Sequence, residues 1–426
     1  MGRNGGPLAC GPAIVPARFF SARSLADKME IEETKGLEKP GAVAEPRRRP
    51  TVRETSFGDY EQIRAVQIRN GLSPRPLRKW TALWQGNPVY EQDRNGWPIG
   101  WVLESEPGRI VGCIANIPSA YLWKGRLIRV ATQCDWAVDL EYRSFSLLLM
   151  QRITSQPNVD LLLTTTVGAA AEPSHAAFQW RRVPAGRWDT AAFWITGHRG
   201  FLRSAVAKRR LPLAGLAIYP IAAALWCRDG LLRFAARKTS RLRIEKLRIE
   251  KLRTEKLRIE KRAEFDESFD IFWEELQRRK PDVLLAVRSA AALRWHFQGS
   301  GKAAWIVTAS SGDRLTAYAT FARADNPEIG LTRLRLIDFQ ALENIEEALD
   351  GILAWVIERC RRDGIHLLED VGCVLEGLGI PQAKAPYHRD LASWAYYYRA
   401  RRGEFSDALK DASVWNPTSF DGDASL

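Results

Sequence analysis

The chain is poor in the spacings that mark metal, redox and hydrolytic centres. Its six cysteines stand at positions 10, 113, 134, 227, 360 and 373, with no C-x-x-C pair, and no H-E-x-x-H occurs. The common zinc arrangements are therefore missing and no metal is expected. Cys113 and Cys134, set in apolar strand patterns, read as small packed hydrophobes of a reducing compartment. No G-x-S-x-G elbow and no P-loop is present, which removes the usual hydrolase and nucleotide-triphosphatase signatures. A membrane-spanning helix needs ~20 apolar residues. The apolar run from Leu211 to Cys227 is shorter and holds Pro212, Gly215 and Pro220. Met1-Gly2 is followed by Gly6, where a myristoylation signal needs Ser or Thr.

Positive charge is abundant but local. The net charge is +13. Residues 228–262 hold fourteen Lys or Arg against five acids, and residues 1–50 hold nine against six. The rest of the chain is close to neutral, so no broad basic face for nucleic acid is expected. Residues 1–25 contain no acid and carry Arg3, Arg18 and Arg23. This is loosely like a transit peptide, but an unstructured extension, with Met29 as an alternative start, is the simpler expectation. The Pro-, Glu- and Arg-rich stretch from Lys35 to Pro50 extends it as a disordered segment.

A chain of 426 residues exceeds one ordinary core, and two domains are expected. Order begins near Thr51. Ser56 with Asp59 three residues on marks a helix start, and Gly71 ends that helix. A strand from Ile99 to Glu104 precedes a long hairpin, Ile110 to Trp123 and Leu127 to Val138, turning at Lys124-Gly125. A helix from Arg143 to Thr154, an apolar strand from Val159 to Thr166, a helix from Ser174 to Arg182 and a strand from Trp188 to Thr196 complete the first set. The same order recurs from Phe265 onward and ends on a strand from Trp394 to Arg399. The expected layout is residues 1–50 as extension, 51–200 as the first domain, 201–263 as connector and 264–426 as the second domain.

The connector has two parts. The run from Leu211 to Cys227 is apolar all round, which fits a buried interdomain helix or a membrane-surface contact. Peripheral membrane contact is expected to involve residues 204–262. The pentapeptide Leu-Arg-Ile-Glu-Lys then repeats from Leu242, Leu247, Leu252 and Leu257, broken only at Thr254. Its leucines would step ~140° around a helix and form no stripe, so a solvated helical linker is expected.

The join Trp136-Ala-Val-Asp-Leu-Glu-Tyr-Arg-Ser-Phe-Ser-Leu-Leu-Leu-Met150 leads from strand into helix. Unpaired N–H groups and the helix dipole favour an anion at such a place. The element order and this join resemble the GNAT N-acetyltransferase superfamily, and the repeat of the order resembles its two-domain acyltransferase branch. The resemblance implies an α/β fold of mixed sheets, two GNAT-like domains joined by a basic helical linker. It implies an acetyl-CoA or longer acyl-CoA co-substrate held by Ala137, Val138, Arg143, Ser144, Phe145, Ser146 and Leu147. Val138, Leu140, Tyr142 and Arg143 match the family's strand and loop, while Ser146 and Leu148 replace its two small residues. Trp180 stands where the family often places a tyrosine that protonates the leaving thiolate, and indole cannot do so.

Acyl transfer to an amine or hydroxyl needs a group to take the acceptor's proton. Asp135, an acid amid apolar strand residues, and Glu104 are the candidate catalytic carboxylates. The competing reading of Asp135 is a structural carboxylate at a sheet edge, paired with Arg129 or Gln133. His175, at a helix start, is expected to cap or lie at the surface. The second domain carries Leu336-Ile-Asp-Phe339 and two acids, Glu343 and Glu346, at the equivalent join, so it is expected to shape the acceptor cleft without holding CoA. The implied setting is cytoplasmic, with possible contact at a membrane surface. Two other readings remain open: a GNAT-like scaffold without catalysis, and an aminoacyl-tRNA-dependent transferase like FemAB proteins that uses the basic linker.

Overall fold

The computed structural model describes residues 49–94, 96–210, 218–232, 257–299, 304–391, 395–401 and 403–426. The extension up to residue 48, residues 211–217 and the first three repeat copies lie outside them. Residues 48–426 form one compact unit.

Two mixed sheets carry the fold. The first begins with β1 (Thr51–Glu54), β2 (Gly100–Glu106), β3 (Arg109–Trp123) and β4 (Arg126–Val138), an antiparallel run. Lys124 (φ 49°) and Gly125 (φ 73°) make the tight turn between β3 and β4, the left-handed pair whose twist suits a two-residue hairpin. β5 (Leu161–Val167) lies parallel to β4, with α4 (Ser146–Thr154) as the crossover. α1 (Tyr60–Arg69), α2 (Leu77–Thr81) and α3 (Pro88–Gln92) precede the hairpin, and α5 (Glu172–Ala177) follows β5. Arg53 and the Ser56 N–H both bond to Asp59 and fix the start of α1.

The sequence order does not continue within one sheet. β6 (Arg181–Arg182) stays in the first sheet, but β7 (Arg187–Ile195) joins the second. There it lies between β13 (Leu367–Gly372) and β14 (Tyr387–Asp390). In return β15 (Ala395–Ala400) sits in the first sheet, between β5 and β6. The strand expected to close the first set therefore closes the second, and the reverse. Alternation and burial specify which faces of a strand are covered, but not which neighbour covers its edges. Ala191 through Ile195 are all buried, a pattern that fits the interior of either sheet.

The second sheet runs β14-β7-β13 and then through β12 (Arg333–Ala341), β11 (Arg314–Arg323) and β10 (Ala304–Ser311) to β8 (Arg258–Arg262). The remaining helices are α6 (His198–Arg209), α7 (218–232), α8 (Ser268–Arg279), α9 (Ala290–Arg294), α10 (Ile345–Arg362) and α11 (Glu404–Ala408). β9 (Leu285–Ala286) pairs with β3. The edge strand β8 (Arg258–Arg262) is the last copy of the pentapeptide repeat, which corrects the helical expectation for that copy. Leu257 and Ile259 stand two apart, and both pack on the core under α10. Spacing by two is a strand's periodicity, and an open edge at β10 selects it.

One core spans both sheets. It holds Tyr121, Trp123, Ile128 and Val130 of the first hairpin together with Phe265, Phe269, Tyr318 and Trp415. Under it lies a closed polar network. Arg288 donates to both oxygens of Asp338 at 2.8 and 3.1 Å, and Tyr318 and Thr418 donate to the same carboxylate at 2.7 and 3.0 Å.

Candidate functional site

β4 and β5 are paired only from Val130↔Leu161 to Thr132↔Leu163, although both strands run on. Beyond that point they part. The cause lies in β4. Its register with β3 jumps from Ala115↔Cys134 to Cys113↔Ala137, so Asp135 and Trp136 together face Ile114. This bulge puts Asp135 at φ 52°, a conformation that costs a non-glycine residue roughly 1–3 kcal/mol and is held by its surroundings. Arg75 supplies the hold, with Nη1 2.8 and 3.0 Å from the two Asp135 oxygens. On β5, the Thr165 N–H and hydroxyl donate to Asp423 at 2.8 and 2.7 Å, and the Thr166 hydroxyl also donates to Asp423. The C-terminal tail thus pins the diverging end of β5.

Beside the gap lies a cluster of rings. His175 of α5 sits 5.7 Å from Trp136, 5.2 Å from Trp180 and 5.8 Å from Tyr397, between ring centroids. Trp136 Nε1, His175 Nε2 and Trp180 Nε1 are all buried without a hydrogen-bond partner. An unmet buried polar group costs about 1–3 kcal/mol, and three such groups stand together in this cluster. His175 Nδ1 is 2.9 Å from the Ala171 carbonyl. A carbonyl only accepts, so Nδ1 carries the proton and Nε2 presents a lone pair. Burial pushes the His175 pKa below the usual imidazole range, against the Ala171 hydrogen bond, which raises it.

The expected cofactor residues fall on the far side of the same gap. Ala137 and Val138 are the buried end of β4. Arg143, Ser144 and Leu147 are exposed, and Phe145 and Ser146 half-buried. The expected helix start at Arg143 moves to Ser146, because Leu140–Phe145 is a tight 3-10 turn. Its first turn closes through the Tyr142 N–H on the Asp139 carbonyl, and the Tyr142 ring is buried. Arg143, Ser144 and Leu147 thus face solvent at the turn that leads from β4 into α4.

Glu104 does not join this group. It sits on β2, separated from Asp135 by β3, and accepts from Arg53 and from the Gly108 N–H. Asp135 pairs with Arg75, and not with Arg129 or Gln133. Arg129 instead reaches Asp93. His175, expected at the surface, is 1% exposed. The expected helix to Arg182 stops at Ala177, where Gln179 (φ 61°) turns the chain and folds Trp180 back onto the imidazole. Arg75, Asp423 and the role of His175 carried no local signal, since each depends on contacts distant in sequence.

A cavity of about 560 Å³ opens at the other end of β4. The β3–β4 hairpin, the Asn87–Asp93 segment, Trp295 and His296, and the tail from Phe420 to Leu426 line it. Leu426 links it to the gap, because its carbonyl also lies 3.4 Å from Arg75 Nη2. Elsewhere, Cys373, Glu376 and His388 bring donor atoms within 4.8 Å of one another. Arg187 already donates to the Cys373 sulfur at 3.2 Å, so a guanidinium supplies the positive charge at that cluster.

The antiparallel β2–β3–β4 run, the parallel β5 that parts from β4 at a bulge, and the helices after β4 and β5 make this an α/β fold of mixed sheets. No protein-family model matches the chain, and no curated protein sequence matches it. Among solved structures it is similar to a GCN5-related N-acetyltransferase from Anabaena variabilis, at 13% identity and TM-score 0.47 over 83% of this chain and 73% of that one. It is similar to a probable N-acyltransferase from Enterococcus faecalis, at 11% identity and TM-score 0.49 over 82% and 72%. It is also similar to Saccharomyces cerevisiae N-myristoyltransferase with bound myristoyl-CoA, at 13% identity and TM-score 0.47 over 86% of each chain.

Proposed function

We propose that the protein transfers an acyl group from acetyl-CoA or a longer acyl-CoA to an amine or hydroxyl acceptor. The observation that carries this reading is the parting of β4 from β5 beside three unsatisfied buried ring nitrogens. The N–H groups of residues 143–147 would hold the diphosphate, and the bulged backbone of β4 would meet the arm that bears the thioester. The co-substrate supplies an activated carbonyl with a thiol leaving group. The acceptor's nitrogen or oxygen forms the new bond to that carbonyl as the carbon–sulfur bond breaks. The acceptor's proton must leave, and the thiolate must end as thiolate or thiol.

Two groups are candidates for taking the acceptor's proton in this reading. His175 is kept neutral by its depressed pKa and offers the Nε2 lone pair. Asp135 has both oxygens engaged by Arg75, which suits orienting a water or an ammonium better than binding a proton.

The test is a panel of acyl-CoAs with pooled amine acceptors, scored for free thiol release and for thermal stabilisation. Ser146→Glu places a carboxylate at the start of α4 and should remove the stabilisation. His175→Ala should lower kcat about 100-fold or more while acyl-CoA stabilisation persists. Stabilisation without thiol release from any acceptor would support a binding protein with no catalysis. Salt-sensitive tRNA binding with no response to acyl-CoA would move the assignment to an aminoacyl-tRNA-dependent transferase.

A further inference from the structure

Helix α7 is apolar beyond the side it turns to the core. Ile218, Ala222 and Asp229 are buried and Leu225 is half-buried, and these four positions fall on one line of the helix. Around the rest of the circumference Tyr219, Ile221, Trp226, Leu231 and Leu232 are between 46% and 71% exposed. The surface helix of a soluble body turns its apolar stripe to the core and its charges to water. A dense group of large exposed apolar residues marks a docking surface. The expectation that the apolar run from Leu211 is a buried helix is thus corrected for residues 218–227.

The charge around this face has one sign. Described residues 198–210 and 218–232 contain six Lys or Arg and a single acid, Asp229. That acid is turned inward, 2.9 Å from His198 Nε2 and accepting the Tyr387 hydroxyl at 2.8 Å. Lys208, Arg209, Arg210 and Arg228 are exposed, and the Arg199 guanidinium lies 4.5 Å from the centre of the Tyr219 ring. Two copies of such a surface would repel each other, so self-association does not suit it. No helix among the described residues is long and apolar enough to cross a membrane.

We propose that α7 lies along the surface of an anionic lipid bilayer, with Tyr219, Trp226 and Leu231, which share one side of the helix, toward the acyl boundary and the flanking Lys and Arg on lipid phosphates. Tryptophan and tyrosine suit that boundary because each has an apolar body and a polar tip. This places the protein, by its own surface, where lipid-borne acyl donors or acceptors are concentrated. It does not rest on the acyl-transfer reading.

Cys227 makes the test direct. It is the exposed one of the five described cysteines, and the other four are buried. It also sits roughly opposite the buried stripe at ~100° per residue. Full-length protein carrying Cys10→Ser is labelled at Cys227 with an environment-sensitive fluorophore. It is mixed with vesicles of phosphatidylcholine alone, or with about one-third phosphatidylserine. A blue shift and a several-fold rise in emission are expected with the anionic vesicles only, together with co-flotation that falls as salt is raised. The exposed double variant Trp226→Ser, Leu231→Ser should lose both signals at unchanged thermal stability. Three results would overturn the proposal. One is no flotation. Another is flotation with the Cys227 probe still in water, which would assign binding to the basic repeat alone. The third is a concentration-dependent shift without vesicles, which would make this a contact between copies.

Discussion

At the scale of single residues, the strongest physical constraints lie in buried charge. Arg288 is 1% exposed and Asp338 fully buried, and their pairing is completed by Tyr318, Thr418 and Gln340. Removing the guanidinium strands a carboxylate that burial would otherwise neutralise. Arg288→Met should therefore cost roughly 3–5 kcal/mol, read as a lower urea midpoint at unchanged slope. Asp370 runs the other way. Burial raises its pKa to about 7, although it accepts the N–H groups of Leu375 and Val374. In the unfolded chain it titrates near 4. The folded pKa is the higher one, so the stability tied to the protonated form is complete below about pH 4 and is lost as pH rises to about 7. The stability of Asp370→Asn relative to the parent should thus improve between pH 4 and pH 8, by up to roughly 4 kcal/mol. Urea titrations of both proteins across that range check it, and a flat difference would show that the carboxyl ionises freely.

At the scale of elements, the hairpin Arg109–Val138, the crossover to β5 and the second-half strands were legible, because long periodic segments state their own type. Partner choice was not. β7 and β15 each read as a terminal strand of their own half, and only the folded chain shows that they change places. The exchange makes each half incomplete. A chain of residues 51–200 lacks β15 and exposes the edge of β5, while a chain of residues 264–426 lacks β7 between β13 and β14. Each half expressed alone should aggregate, and co-expression should recover soluble material that elutes as a 1:1 complex. A soluble monomeric 51–200 would show that the exchange is dispensable. The last repeat copy and the turn at Gln179 share one explanation. In each, a strong helix former was overruled by a long-range contact, the open edge of β10 in one and the His175 cluster in the other.

At the scale of the whole molecule, the two sheets cannot be treated as separate folding units. Their shared core joins Tyr121 and Val130 to Phe269, Tyr318 and Trp415. The tail then returns across 258 positions to bond Thr165 through Asp423. Calorimetry should accordingly show a single cooperative transition for residues 48–426, with calorimetric and van't Hoff enthalpies in agreement. Asp423→Ala should lower its midpoint without splitting it. Two resolved transitions would mean that the halves fold independently despite the exchanged strands.

The amino-acid order alone determined most elements, their mixed α/β succession and the concentration of charge in residues 228–262, since each depends on neighbours within a few turns of chain. Tertiary structure decided which sheet received β7 and β15, that His175 is buried with a free ring nitrogen, that Arg75 and Asp423 meet at the parted strands, and that α7 faces outward. Those outcomes turn on which distant surfaces meet. Nothing in local periodicity encodes that choice, because a buried strand or an apolar helix is satisfied equally by any cover of the right polarity.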